Sequence, residues 1–154
     1  MDFQSDRADG PALYHNGFPT TPFLQTATEW LIDAAGCDPL RLSDLDYLQH
    51  LCDKVVEGLC LRVIGDPRWH HFPTCRDSAA PGGATGLYLL AESHLTCHTF
   101  PEDGLAAFNL YCCRGRAAWD WNGFLRARLG AAEVVVRTIT RGAGATLEPP
   151  EERP

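Results

Sequence analysis

Lysine is almost absent from this chain, because Lys54 is the only lysine among 13 basic residues. Enzymes that form an imine through a lysine amine therefore have a single candidate here, and Lys54 lies in a segment with the pattern of a surface helix. Basic residues are also outnumbered by acidic ones, 13 against 20, which gives a net charge of −7. A nucleic-acid-binding protein needs a basic surface to displace counterions from phosphates. We therefore expect a small-molecule substrate and no nucleic-acid partner.

Long apolar runs and export signals are missing as well. No segment approaches the ~20 apolar residues that span a bilayer, and residues 1–25 lack the basic start and apolar stretch of a secretory signal. We expect no membrane association and a cytoplasmic location, where the seven cysteines are reduced thiols. No two cysteines form a C-x-x-C pair, so we expect no metal site.

The length of 154 residues suits one domain. Both ends are rich in residues that interrupt regular structure. We predict an irregular N-terminal extension over residues 1–25, one domain over residues 26–141 and a flexible tail over residues 142–154.

Hydrophobic periodicity predicts the elements of that domain. Ser43 is predicted to cap a helix that Gly58 ends, and a second helix is predicted over residues 117–129, ended by Gly130. Three prolines predict a loop over residues 66–83. The predicted strands cover residues 29–35, 59–64, 86–91, 95–100, 105–112 and 133–140. This α+β pattern predicts a two-layer sandwich, with helices on one face of a largely antiparallel sheet.

One segment concentrates residue types that carry chemistry. It reads Glu92-Ser93-His94-Leu95-Thr96, then His98-Thr99 and Pro101-Glu102, and Cys113 follows. This register resembles the bacterial S-adenosylmethionine decarboxylases, whose signature is E-S-H-L-T-x-H-T-W-P-E followed by a strand of small residues and a cysteine. The resemblance is strong over residues 92–113 and fair over residues 85–140.

The resemblance implies that the chain makes its own cofactor, a pyruvoyl group, by cutting itself between Glu92 and Ser93. The Ser93 hydroxyl attacks the Glu92 carbonyl and turns the peptide bond into an ester. A base then removes the Ser93 α-proton, the ester leaves by β-elimination, and loss of ammonia leaves a pyruvoyl cap on residue 93. Its ketone forms a Schiff base with a substrate amine and acts as the electron sink for loss of CO₂.

The resemblance also assigns the neighbouring residues. His98 is the base for the elimination, a role that suits imidazole. Cys113 donates a proton to the substrate after decarboxylation, with Cys112 as the alternative, and Thr85 assists the acyl shift. Ser93 and His98 are five residues apart and face opposite sides of a flat strand. Either a bend at the cleavage site or release of residue 93 as a terminus must bring them together.

The pocket residues depart from the family pattern. Phe100 replaces a common tryptophan but keeps an aromatic face for a sulfonium or an adenine. Asn109 replaces a frequent aspartate, and Asp33 lies near the position of a family glutamate. We expect Phe100 and one or both of Asp33 and Glu102 to bind the substrate.

Three functions are compatible with these residues. The first is decarboxylation of S-adenosylmethionine, which supplies aminopropyl groups for spermidine synthesis. The second is the same chemistry on another amino acid such as arginine or ornithine, and the third is a non-processing homologue with a regulatory role. The resemblance also implies a homo-oligomer of cleaved αβ units.

Overall fold

Six strands form one antiparallel sheet in the order β4-β5-β6-β7-β3-β8. The computed structural model describes residues 14–15, 18–19, 27–74 and 81–141. In chain order the elements are β1 (Tyr14–His15), β2 (Phe18–Pro19), β3 (Ala27–Ala35), α1 (Pro39–Ser43), α2 (Leu45–Gly58), β4 (Arg68–His71), β5 (Ala84–Leu90), β6 (Ser93–Phe100), β7 (Leu105–Cys112), α3 (Trp121–Leu129) and β8 (Glu133–Arg141).

The centre of the sheet is a meander of consecutive hairpins. Strand β6 pairs with β7 from Ser93 to Phe100, and with β5 over all but its last two residues. Leu90 pairs with Ser93, so the β5–β6 connection is a tight loop of two residues, Ala91 and Glu92. This loop holds the peptide bond at which cleavage is predicted.

One face of the sheet is buried under the helices. Helix α2 begins after Asp44, whose carboxylate accepts the backbone N–H of Tyr47. Its apolar residues recur with helical spacing and pack against alternate residues of the central strands. The buried residues of α2 are Leu48, Leu51, Cys52, Val55 and Val56. They join Tyr88, Leu95, Cys97, Phe108 and Leu110 of the sheet in one core.

The opposite face, which we call the open face, carries the other set of alternating residues. None of the described helices contributes to it. Several of its apolar side chains are exposed, among them Leu89 at 56% and Leu87 at 44%. Its members on the central strands are Thr85, Leu87 and Leu89 of β5, His94, Thr96, His98 and Phe100 of β6, and Leu105, Ala107, Asn109 and Tyr111 of β7.

The predicted fold class is confirmed, with small differences in several elements. The predicted strand over residues 59–64 is wrong, since only Val63 forms a bridge, to Leu90. The reason is local: Cys60 takes a left-handed φ of 51°, which breaks an extended path. The predicted loop over residues 66–83 contains strand β4, although the prolines of this segment favour a loop. A side chain at Gly86 would clash with the Trp69 ring of that strand. The absence of a side chain at Gly86 therefore allows β4 to pair with β5 at the edge of the sheet.

The helix boundaries differ for similar reasons. Asp44 rather than Ser43 caps α2, because Ser43 ends the short helix α1. Helix α3 begins at Trp121, four residues later than predicted, because the Asp120 carboxylate accepts the N–H of Gly123. Gly130 ends α3 as predicted, with a left-handed φ of 71°. In the N-terminal segment β1 pairs with β2. The rest of that segment and the tail lie outside the described residues.

Candidate active site

The peptide bond between Glu92 and Ser93 is held in a conformation that favours chemistry on it. Ser93 has a φ of 153°, a region that residues with a side chain seldom adopt and that stores backbone strain. The carbonyl oxygen of Glu92 accepts the backbone N–H of Cys113 at 2.9 Å. An attack on this carbonyl would place negative charge on that oxygen, where the N–H already points.

The side chain of Glu92 is fixed as well. It forms an ion pair with Arg116, and both side chains are about three-quarters buried. The Arg116 backbone N–H is bonded to the Thr28 hydroxyl at 3.3 Å. The N–H of Ala91 donates to Arg62 O at 2.8 Å. Both residues of the loop that precedes the strained Ser93 are therefore anchored to other parts of the chain.

The two adjacent cysteines lie in different environments. Cys112 pairs with Ser93 but is fully buried on the helix side, and burial raises the pKa of its thiol to about 11, with a smaller contribution from Cys113. Cys113 is exposed beside the Glu92 carbonyl. Of the two, only Cys113 has an exposed thiol.

His98 and Thr85 are brought together, at a distance from Ser93. They are direct partners across β5 and β6, and the Thr85 hydroxyl is hydrogen-bonded to Nδ1 of His98. The ring of His98 also contacts Phe100 and Phe72, at centroid distances of 4.5 and 5.7 Å. Strand β6 is continuous, so five residues separate Ser93 from His98 by about 16 Å at ~3.3 Å per residue. The bend at Ser93 does not shorten that path.

A different histidine contacts Ser93. Nδ1 of His94 lies 3.4 Å from Ser93 Oγ, and its Nε2 lies 3.2 Å from Oδ1 of Asn109. The Asn109 amide nitrogen is bonded to Glu29 Oε1 at 3.1 Å, and Arg141 binds the other oxygen of Glu29 at 3.1 Å. These side chains form a continuous hydrogen-bonded row on the open face.

The structure brings two of the three predicted substrate-binding residues together. Asp33 and Phe100 line one cavity of about 240 Å³, together with Ala35, Leu105 and Ala107. The Asp33 carboxylate is bound by Arg137 at 2.6 Å. Glu102 is exposed in the turn after β6 and does not line this cavity. Phe100 is seven residues from Ser93, or about 23 Å along the strand, so one copy of the chain does not bring this cavity to residue 93.

Four residues around the cleavage site have no role predicted from the sequence, namely Glu29, His94, Asn109 and Arg116. His94 belongs to the matched motif, and Asn109 is recognised only as a departure from the family pattern. A signal existed for His94, because residues 94, 96 and 98 share one face of a strand. Glu29 and Arg116 come from distant parts of the chain, and only the strand order brings them to the site.

Two other features of the described residues bear on function. No group of three or more histidine, cysteine or acidic side chains among them could hold a metal ion. None of the helices there has the length and apolar character needed to cross a membrane.

Comparison with known proteins identifies relatives of this chain. The sequence profile of the S-adenosylmethionine decarboxylase family matches residues 28–142. The S-adenosylmethionine decarboxylase proenzyme of Symbiobacterium thermophilum is 43% identical over 109 residues, which cover 68% of this chain and 74% of that protein. The proenzyme of the same name from Moorella thermoacetica is 37% identical over 122 residues, 79% of this chain and 89% of the relative.

The fold has a counterpart among solved structures. The crystal structure of the adenosylmethionine decarboxylase from Aquifex aeolicus VF5 superposes with a TM-score of 0.62 at 24% identity. The match covers 79% of this chain and 95% of that one, so the two share the antiparallel sheet with helices on one side. The motif, the profile match and these relatives together show that the chain belongs to the S-adenosylmethionine decarboxylase family.

Proposed function

We propose that this protein is a proenzyme that cuts itself between Glu92 and Ser93 and then decarboxylates S-adenosylmethionine with the resulting pyruvoyl group. The observation that carries the proposal is the state of the cleavage site. Ser93 is strained at φ 153°, and the carbonyl it would attack is held by the Cys113 N–H. Conversion of the peptide bond to an ester removes the backbone constraint at the strained residue.

Each step of self-cleavage has a residue suited to it. The Ser93 hydroxyl is the nucleophile, and the Cys113 N–H stabilises the oxyanion at Glu92. The elimination needs a base for the Ser93 α-proton, and we assign His98. Thr85 fixes the ring of His98 through the hydrogen bond between its hydroxyl and Nδ1, so we assign Nε2 as the nitrogen that takes the proton.

The residues around position 93 also fit the cofactor. Bound there, a pyruvoyl group supplies an electron sink for the decarboxylation of an amino acid. Cys113 is exposed beside it and is our proton donor to the substrate α-carbon. Cys112 is fully buried in the core with a raised pKa, which makes it a poor donor to a substrate that enters from solvent.

We further propose that a second copy of the chain completes the site. His98 is about 16 Å from Ser93 of the same copy, too far for proton transfer. Two copies could pack open face against open face, related by a two-fold axis that lies between the sheets, perpendicular to β6 and level with Thr96. The β6 strands of the two copies would then run in opposite directions. Sheets packed in this way lie about 10 Å apart, so the His98 end of one copy would face the Ser93 end of the other.

The open face has the surface that such a dimer requires. It exposes Leu87, Leu89, Phe100, Leu105 and Ile139, an apolar set that is unusual for a monomer. The same stacking would carry the cavity of Asp33 and Phe100 toward the opposite Ser93. One isologous contact would therefore cover the apolar face and assemble both catalytic sites.

S-adenosylmethionine is the substrate favoured by the names of the relatives over arginine or ornithine. An aromatic face at Phe100 suits its sulfonium or adenine, and Asp33 can serve the ribose hydroxyls. The product would supply aminopropyl groups for spermidine synthesis. We assign the enzyme to the cytoplasm, where the six cysteines among the described residues, all free, stay reduced.

Intact-mass spectrometry of the purified protein tests the proposal. We expect two fragments, residues 1–92 and 93–154, with the second blocked at its N-terminus. Ser93→Ala should remain one chain, because no hydroxyl is left to attack. A parent protein that stays one chain for days in neutral buffer would exclude the pyruvoyl mechanism and favour a non-processing homologue.

A further inference from the structure

We propose that His94 is a catalytic residue of self-cleavage, the base that takes the Ser93 hydroxyl proton as the Glu92 acyl group moves from nitrogen to oxygen. The inference rests on the proposed self-cleavage and concerns its first step, which His98 does not serve. It assigns a role to the row formed by His94, Asn109 and Glu29.

The contact with the nucleophile is direct. Nδ1 of His94 lies 3.4 Å from Ser93 Oγ, and within the described residues this is the only hydrogen bond of that hydroxyl to another side chain. The competing imidazole is engaged elsewhere, because Nδ1 of His98 is bonded to Thr85. A base must lie within hydrogen-bonding reach of the proton it removes, and such contacts commonly shorten as the reaction proceeds.

The row also fixes which nitrogen of His94 carries the proton. The amide nitrogen of Asn109 faces two acceptors, Glu29 Oε1 at 3.1 Å and the Trp30 carbonyl at 3.5 Å. A carboxylate and a carbonyl can only accept, so the amide orientation follows from its partners. Oδ1 of Asn109 then faces Nε2 of His94 at 3.2 Å, and Nε2 must be the donor. Nδ1 is left with its lone pair toward Ser93.

The end of the row is held in place by charge. Glu29 is bound by Arg141 at 3.1 Å, and its side chain is only 19% exposed. The ring of His94 lies 5.9 Å from that of Tyr111. Glu29 therefore orients Asn109, and Asn109 orients His94. In this scheme Asn109 and Glu29 are positioning residues, since neither touches the reacting atoms.

The step balances without any added reactant. A bond forms between Ser93 Oγ and the carbonyl carbon of Glu92 while Nδ1 of His94 takes the hydroxyl proton. The bond from that carbon to the Ser93 nitrogen then breaks, and His94 returns the proton to this nitrogen. The products are an ester between residues 92 and 93 and a free amine. The N–H of Cys113 stabilises the oxyanion between the two events.

The test isolates the acyl shift from the elimination. In His98→Ala the proposed function predicts that the protein stops at the ester, which hydroxylamine cleaves at residue 92. The rate at which freshly synthesised protein becomes sensitive to hydroxylamine then measures the shift alone. Adding His94→Gln should slow that rate about 100-fold or more, the usual contribution of general base catalysis. His50→Gln, on the exposed side of α2, is the matched control and should leave the rate unchanged.

Two further measurements separate catalysis from folding. Added imidazole should restore ester formation in His94→Ala, which a misfolded protein would not permit. Asn109→Leu should slow the shift about 10-fold, less than the loss of the base itself. Asn109→Asp keeps an acceptor for Nε2 but loses the donor to Glu29, so it should slow the shift less than Asn109→Leu does. Ester formation at the parental rate in His94→Gln would overturn the inference while self-cleavage stands. Absence of both ester in His98→Ala and fragments in the parent would instead overturn the proposed function.

Discussion

The backbone N–H of Cys113 lies 2.9 Å from the carbonyl oxygen of Glu92, so the residue proposed to protonate the substrate also holds the bond that is cut. The two roles use different atoms. The backbone N–H serves self-cleavage, and the thiol serves turnover. A substitution of the Cys113 side chain can therefore separate them, because the backbone contact survives.

Cys113→Ala should still cleave itself but lose at least about 100-fold in decarboxylation, as expected when a proton donor is removed. Cys112→Ala should retain turnover within a few-fold, because that thiol is buried away from the site. It should instead lose about 1 kcal/mol of stability from the small cavity it leaves. Fragment formation and release of CO₂ measure the two roles separately. The opposite ranking of the two variants would assign the proton donor to Cys112.

The buried thiols should make the fold sensitive to alkali. Burial raises the pKa of both Cys37 and Cys112 from 9.0 to about 11. The folded state therefore holds these protons more tightly, and its advantage is complete below pH 9 and is lost as the pH rises toward 11. The free energy of unfolding, measured with urea on uncleaved Ser93→Ala, should fall across this window. Replacing both cysteines by alanine should make this decrease smaller but not abolish it, because the pKa values of Cys52 and Tyr88 are raised as well. Cys60→Ala, at an exposed cysteine, should leave the decrease unchanged.

Mixed dimers should reveal which copy supplies each histidine. Co-expression of differently tagged Ser93→Ala and His98→Ala should generate blocked 93–154 fragments from the His98→Ala chain, because the other copy brings an intact His98 to its Ser93. Ser93→Ala with His94→Gln is the matched control. It should not complement, since His94 acts on its own neighbour. Complementation by neither pair would place His98 in the same copy as the serine it serves.

The sequence predicted the motif and the sheet because both depend on local signals. Short apolar runs between turn residues indicate β6 and β7, and the α+β pattern indicates a largely antiparallel sheet with helices on one face. The row from His94 to Glu29 was not predictable, because it depends on β3 pairing with β7 across about 80 positions of sequence. Strand β4 was not predictable either, because its pairing at the sheet edge requires a residue without a side chain at position 86, in the neighbouring strand β5.

The substrate pocket provides the last prediction. Phe100 lines the cavity with Asp33, so loss of its side chain removes an aromatic face of this cavity, although it also removes a contact of the His98 ring. Phe100→Ala should still cleave itself, because the Thr85 hydroxyl continues to hold that ring. It should raise the KM for S-adenosylmethionine about 5- to 30-fold, as expected for the loss of roughly 1–2 kcal/mol of aromatic and cation–π contact. Leu40→Ala, at an exposed apolar residue of α1, is the control and should change neither quantity.

Release of labelled CO₂ from carboxyl-labelled S-adenosylmethionine, arginine and ornithine measures the substrate preference directly. Turnover of arginine or ornithine without S-adenosylmethionine would reassign the substrate but leave the self-cleavage chemistry intact, because Ser93, His94 and Cys113 do not distinguish among amino acids.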